Sequence, residues 1–157
     1  MNFEAPLFAV VGTPDPVPEH VDRDQWPVHV TIASNFFADN SAEAAIIALL
    51  ESSARDVPAF EVELGPPALF GANADLPVLL APHQSFDRLH GALAARLMRL
   101  PGFIAVEPNY WLEGYRPHAT LGRAVRVSEG QTLHILALTL VSLYRGTGTR
   151  IAAFELA

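Results

Sequence analysis

Two tetrapeptides, His29-Val30-Thr31-Ile32 and His118-Ala119-Thr120-Leu121, repeat one pattern 89 positions apart, a histidine and a threonine set among apolar residues. Successive side chains of a strand point to opposite faces, so each histidine shares a face with its threonine while the apolar residues take the other. With six His and seven Thr in the chain, a random arrangement gives His-x-Thr about 0.3 times. Either copy alone reads as the solvated face of a half-buried strand. Two copies in matching context instead constrain the fold to one that turns two distant strands toward each other across a cleft.

The segments around them suit such a fold. Leu7–Val11 reads as a buried strand and Gly12–Gln25, rich in Pro and acidic residues, as a loop leading to the strand Pro27–Ser34. A helix is predicted from about Ser41 to Arg55, opened by an Asn40-x-x-Glu43 capping box and stopped by Asp56-Val57-Pro58. Phe60–Leu64 alternates as a half-exposed strand. Pro77–Pro82 supplies another, the two joined through the Gly- and Pro-containing stretch around Gly65–Ala74. The clearest helix spans about Ser85 to Leu100, with Phe86, Leu89, Leu93, Leu97 and Leu100 on one face and Pro101-Gly102 as its stop. Strands are predicted over Phe103–Glu107, Pro117–Val125, Leu133–Leu143 and Ile151–Leu156, with a turn at Gly146–Gly148. Few helices dispersed among strands that short turns can join give an α+β chain with mainly antiparallel sheet.

The bulk numbers set limits. At 157 residues, half of them hydrophobic, the chain suits one domain with two small lobes, covering residues 1–157. It has no cysteine, so neither a disulfide framework nor a thiolate nucleophile or metal ligand is available. The N-terminus lacks a signal-peptide pattern, and the longest apolar-rich stretch, Leu133–Tyr144, is too short to span a bilayer; a cytoplasmic protein without membrane association is expected. A net charge of −7 argues against sequence-independent grip on long nucleic acid, which comes mainly from Lys and Arg contacts to phosphates. Residues 1–80 hold two Arg against twelve acidic residues, whereas 81–157 hold eight Arg against five. Positive charge therefore gathers on the His118 side, at Arg116, Arg123, Arg126, Arg145 and Arg150, all carrying the planar fork suited to phosphate oxygens.

Two imidazoles converging on a cleft can supply a general acid and a general base near neutral pH. The threonine hydroxyls beside them can donate to phosphate oxygens, so the group between them reads as a phosphodiester. A zinc site is the competing two-histidine reading, but it wants further His, Asp, Glu or Cys ligands, and a neutral hydroxyl is a poor substitute. No metal and no cofactor is expected.

On these residues a family resemblance becomes visible. His29–Ile32 and His118–Leu121 resemble the paired His-x-Thr motifs of the 2H phosphoesterase superfamily, which contains 2′-5′ RNA ligase-like proteins and RNA 2′,3′-cyclic phosphodiesterases. Arg116-Pro117-His118-Ala119-Thr120-Leu121-Gly122-Arg123 is similar to that family's second motif, and Leu138–Gly146 followed by Arg150–Leu156 to its closing pair of strands. The resemblance implies a bilobal α+β fold: two mainly antiparallel sheets with flanking helices, related by a pseudo-twofold axis, around a metal-independent site between the lobes. By the family's pattern His29 is the proton donor to the leaving ribose oxygen and His118 the acceptor that activates water, with Thr31 and Thr120 holding phosphate; the residues alone do not order the two roles. Two departures point to a reduced or divergent branch: about fifteen residues separate Leu7–Val11 from the first motif strand, and Val125–Thr132 leaves little room for a helix.

Around the motifs, Arg116 shares strand parity with His118, and Arg123 can be re-aimed by a bulge at Gly122; both are candidate phosphate ligands. Trp111 and Tyr115 are candidate base-stacking residues. His90 lies near the apolar stripe of its helix and reads as a packed structural histidine; His20, His83 and His134 carry no pattern. The expected activity is opening of a 2′,3′-cyclic phosphate or cleavage of a 2′-5′-type linkage, the substrate a small nucleotide, an oligonucleotide or an RNA end, and the protein a monomer. A non-catalytic nucleotide or RNA-end binding module, and a nuclease of cyclic oligonucleotide signals, are the alternatives.

Overall fold

The computed structural model describes residues 6–122 and 125–157. Eleven strands and two α-helices make up the described chain, along with short 3₁₀ turns. The strands are β1 (Leu7–Thr13), β2 (His20–Asp22), β3 (Val30–Phe37), β4 (Phe60–Glu63), β5 (Pro67–Phe70), β6 (Leu76–Leu80), β7 (Ile104–Ala105), β8 (His118–Thr120), β9 (Thr132–Ile135), β10 (Ala137–Tyr144) and β11 (Thr147–Glu155). The helices are α1 (Glu43–Asp56) and α2 (Gln84–Leu97). The expected α+β class with antiparallel pairing is the one observed.

Six strands form the first sheet in the order β2-β11-β10-β1-β3-β7, so strands from the two ends of the chain interleave. The rest form two smaller sheets, β4-β9 and β5-β6-β8. Backbone bonds from Leu64 to Gln131 and from Gly65 to the Leu80 carbonyl carry one into the other. The chain from β4 to β5 thus acts as a single bent strand whose partner changes from β9 to β6, the bend falling at Gly65, whose φ of +119° only glycine adopts without strain. The lobes are consequently unequal: one broad sheet faces a smaller, bent one.

Packing explains the element boundaries. On β1, Phe8 and Val10 join Val30, Ile32, Leu138 and Leu140 on the face that receives the helices. Ile46 and Leu50 of α1 and Phe86, Leu89, Leu93 and Leu97 of α2 close that core, and Val62, Leu79, Ala119 and Leu133 from the smaller sheets belong to the same cluster. The opposite face of the broad sheet keeps a small cluster, Ala9, Val11, Val17, Val21 and Val141, with Trp26 and Leu143 packed on it. His83 caps α2, its Nδ1 accepting from the Ser85 N–H at 3.0 Å and its ring stacked on Phe60.

Several predicted boundaries move. The first helix opens with a 3₁₀ turn at Asn40–Ala42, and neither Ala42 nor Asp39 gives a side-chain cap, so the Asn40–Glu43 box does not form. The strand expected over Leu133–Leu143 breaks at Leu136, whose backbone N–H turns to the Thr13 carbonyl. The predicted loop Gly12–Gln25 contributes β2 to the edge of the broad sheet, and the hairpin turn before the last strand is Arg145-Gly146, not Gly146–Gly148. Neither the 14–29 segment nor residues 125–131 forms an α-helix, in keeping with the short spacings there.

Candidate active site

Strand β3 carries Val30, Thr31 and Ile32 of the first motif, with His29 just before it, β8 carries His118–Thr120 of the second, and the two strands pack against each other. Ala119 is fully buried against the core, which turns His118 and Thr120 the other way. Thr31 faces away from the fully buried Val30 and Ile32, into a cavity of about 500 Å³ lined also by His29, Asn35, Thr120, Trp26 and Arg145. A second cavity of about 300 Å³ is lined by His118, Arg116, Tyr110, Glu107 and Ser34, and again by Thr31, Asn35 and Thr120. The threonines thus stand at the junction of a two-chambered cleft with one histidine in each chamber.

The histidines are held in the same way. His29 Nδ1 lies 2.9 Å from the Pro27 carbonyl and His118 Nδ1 2.7 Å from the Arg116 carbonyl, each two residues back along the chain. A carbonyl only accepts, so Nδ1 carries the proton in both rings and Nε2 is left for chemistry. Each ring also leans on an aromatic neighbour, His29 on Trp26 with centroids 5.1 Å apart and His118 on Phe70 at 4.4 Å. His29 immediately precedes β3 instead of lying in it, so its carbonyl bond and Trp26, not strand parity, aim it into the cleft.

Burial pulls both imidazoles below their ordinary value of 6.5. The carbonyl bond opposes that fall in each; proximity to His118 lowers His29 further, and the Arg116 charge lowers His118 further. The influence of one imidazole on the other disfavours a second proton once the first is in place.

The expected flanking residues divide. Arg116 lines the smaller chamber, its guanidinium 5.2 Å from the Phe70 ring centre. Arg123 lies outside the described residues. Trp111 is corrected: only 5% exposed, it packs its ring against Phe36, Phe103 and His90, leaving no face for a base. Tyr115 borders the smaller chamber; one face of its ring stacks flat on His90 at 4.0 Å, and its hydroxyl donates to the Thr31 carbonyl at 2.9 Å. Burial pushes the Tyr115 phenol well above its ordinary range, so the donor keeps its proton. His90 is buried and spends both ring nitrogens, Nδ1 donating to the Ile32 carbonyl at 2.7 Å and Nε2 accepting from the Leu112 N–H at 2.9 Å. His90 and Tyr115 together bolt the first motif strand to the segment that leads into the second.

Sequence reasoning missed Phe70, Ser34, Asn35 and Tyr144. Phe70 sits in a stretch rich in Gly and Pro that reads as a connection. Ser34 faces the cleft because register shifts on β3 break its alternation, leaving Ile32 and Ala33 both in the core. Asn35 carries a legible signal, a polar residue in strand parity with Thr31, once the strand is extended to Phe37.

An α+β scaffold that brings two His-x-Thr strands face to face defines a protein of the 2H phosphoesterase class. The family model of the 2′-5′ RNA ligase superfamily matches residues 11–141, and the chain belongs to that superfamily. No curated protein matches the sequence. Among solved structures, the chain is similar to a phosphoesterase at 21% identity and TM-score 0.66, covering 98% of each chain. It is similar to E. coli LigT complexed with 3′-AMP at 20% identity and TM-score 0.66, again over 98% of each. The protein TT0787 of Thermus thermophilus matches at 20% identity and TM-score 0.63, over 96% of this chain and 97% of that one. At such identities the likeness speaks to the fold.

Proposed function

We propose that the protein is a metal-independent phosphodiesterase that opens a 2′,3′-cyclic phosphate, or cleaves a 2′-5′-type diester, in a nucleotide, an oligonucleotide or an RNA end. The observation that carries this reading is the duplicated imidazole setting: Nδ1 of His29 and of His118 on a carbonyl two residues back, with a free Nε2 in each chamber of a cleft whose junction is Thr31 and Thr120. Membership of the 2′-5′ RNA ligase superfamily supports it. So does the similarity to E. coli LigT, which has been solved with 3′-AMP and with phosphate.

In the cyclic case, water attacks phosphorus as neutral His118 takes a proton on Nε2. The bond from phosphorus to one ribose oxygen breaks, and protonated His29 delivers the Nε2 proton to that oxygen. The product is a phosphomonoester, and the enzyme leaves each turnover with its proton on the opposite histidine. Thr31 and Thr120 donate to the non-bridging oxygens, where negative charge grows in the transition state. Among the described residues no group of three or more His, Asp or Glu stands close enough to hold a metal ion.

The test is a panel of 2′,3′-cyclic mononucleotides, cyclic-phosphate-ended RNA, 2′-5′ oligoadenylate and cyclic dinucleotides, read by product mass. Turnover of at least one is expected, undiminished by EDTA. His29→Ala and His118→Ala are each expected to lower kcat by at least about a hundredfold, with melting temperatures that report an intact fold. Tight nucleotide binding without turnover of any substrate would establish a binding module instead.

A further inference from the structure

The distal half of the β5–β6 hairpin is open to solvent: Leu69 is 61% exposed, and residues 71–77 are all exposed. Phe70 between them is only 7% exposed, although it belongs to neither of the apolar clusters that close the fold. The cleft buries it instead. Its ring centre lies 4.4 Å from that of His118 and 6.3 Å from that of Tyr110, the latter ring nearly parallel to it, and the Arg116 guanidinium sits over the ring at 5.2 Å. All three neighbours line the smaller chamber. Phe70 is thus an aromatic ring covered by polar side chains, the reverse of ordinary core packing.

The backbone fixes the ring from its own side. Phe70 pairs with Leu76, and β6 in turn pairs Leu80 with His118, so the hairpin hangs from the strand of the second motif. Beyond Phe70 the chain reverses in a turn that the Ala74 N–H closes on the Gly71 carbonyl at 3.0 Å. His118, by contrast, is held within its own segment by one hydrogen bond, from Nδ1 to the Arg116 carbonyl, and a single bond leaves an imidazole free to swing about it. The Phe70 ring supplies the second contact, and the same ring attracts the Arg116 cation through its face. It also keeps water from one side of His118. Burial is the largest influence holding His118 below 6.5, and the Arg116 charge adds to it. The other titratable groups about His118 are His29 across the cleft and Glu107, Tyr110 and Tyr115 in the chamber. Taking the ring away admits water and frees the guanidinium, and both changes raise His118.

We infer that Phe70 is a positioning residue: from the β5–β6 hairpin it sets the His118 imidazole and the Arg116 guanidinium against one aromatic ring, so that base and cation are aimed at the reacting phosphorus together. The inference rests on the phosphodiesterase reading for the duty of His118. The titration of that imidazole reads the contact without any substrate, so the two stand or fall separately.

The test uses two variants that keep apolar bulk without a ring, Phe70→Leu and Phe70→Met, one that keeps the ring, Phe70→Tyr, and Leu69→Ser on the exposed neighbour as control. Either ringless variant that melts as a folded protein suffices. In each, kcat/KM for a cyclic mononucleotide is expected to fall about tenfold. The centre of its pH bell should move up, and the NMR titration of His118 should rise toward 6.5 while that of His90, which packs elsewhere, holds. Phe70→Tyr and Leu69→Ser are expected to match wild type in all three readouts. Ringless variants that melt lower but keep the wild-type His118 titration and bell overturn the inference and leave Phe70 as hairpin packing; so does a Phe70→Tyr variant as impaired as they are. A shifted His118 titration in a protein that opens no cyclic phosphate keeps the contact and removes the catalytic reading. Turnover with an unmoved titration does the reverse.

Discussion

At the scale of single residues, the chemistry of the cleft is decided by what His29 and His118 can do with one proton between them. Catalysis as proposed needs one ring protonated and the other neutral, so the active form lies between the two macroscopic titrations of the pair. Burial pulls both imidazoles below 6.5, and their mutual influence opposes the second proton. The window in which the free enzyme holds one proton therefore lies on the acid side of an ordinary histidine. It follows that kcat/KM should trace a bell centred below pH 6.5, falling toward neutrality as the last proton leaves. The bell for kcat should lie higher, since a bound phosphate anion favours imidazolium. Stopped assays from pH 4.5 to 8.5 with a cyclic mononucleotide decide it; a kcat/KM plateau extending past pH 8 is incompatible with a shared proton.

Between elements, the contacts that set the distance from one motif to the other come from neither motif. His90 on α2 holds the Ile32 carbonyl and the Leu112 N–H, and Tyr115 stacks on His90 and reaches the Thr31 carbonyl. Tyr115→Phe keeps the stack and removes one hydrogen bond, worth about 1 kcal/mol. It should cost only a few degrees in melting temperature. Because the lost bond fixes the strand that carries Thr31, kcat should fall several-fold with little change in KM, and the NMR titrations of His29 and His118 should shift. A variant that loses stability but keeps kcat and both titrations would reduce the tie to ordinary packing. This tie was half legible in the sequence. His90 sits near an apolar helical stripe, and its structural part follows from burial, but its partners are main-chain atoms from segments 58 and 22 residues away, which no local pattern encodes. Trp111 and Tyr115 stand near the motif in sequence, and that proximity suggested a role in the cleft; Trp111 instead packs against Phe36, Phe103 and His90, while Tyr115 borders the smaller chamber with one face on His90. The motifs themselves were legible because period two and the repeat survive in any register. Ser34 was not, because the irregularities on β3 that re-aim it depend on its pairing with β1.

For the molecule as a whole, the two lobes share one core instead of each owning its own. Phe8, Ile46 and Leu89 on the broad-sheet side belong to the same buried cluster as Val62, Leu79 and Leu133 from the smaller sheets, and Trp111 lies within it. Interleaving of strands from both chain ends in the broad sheet adds to this, since neither sequence half can complete a lobe alone. Unfolding should therefore be a single transition, with far-UV circular dichroism and tryptophan fluorescence superimposing in urea; Trp26 and Trp111 sit in different clusters, so separable lobes would split the two signals. The same experiment repeated with pH reads the buried histidines. His29, His90 and His118 are all held below 6.5 by burial, so below that value the unfolded chain binds protons that the folded one refuses. Stability is then full above about pH 6.5 and declines as pH falls through it, because the unfolded state binds more protons. His90 has most to lose, since a proton on Nε2 would remove the acceptor for the Leu112 N–H. His90→Gln, which has no titratable ring, should start less stable at pH 7.5 and show a shallower decline toward pH 5.5. A decline as steep as that of wild type would move the linkage to other groups and leave His90 a packed ring with no part in the acid response.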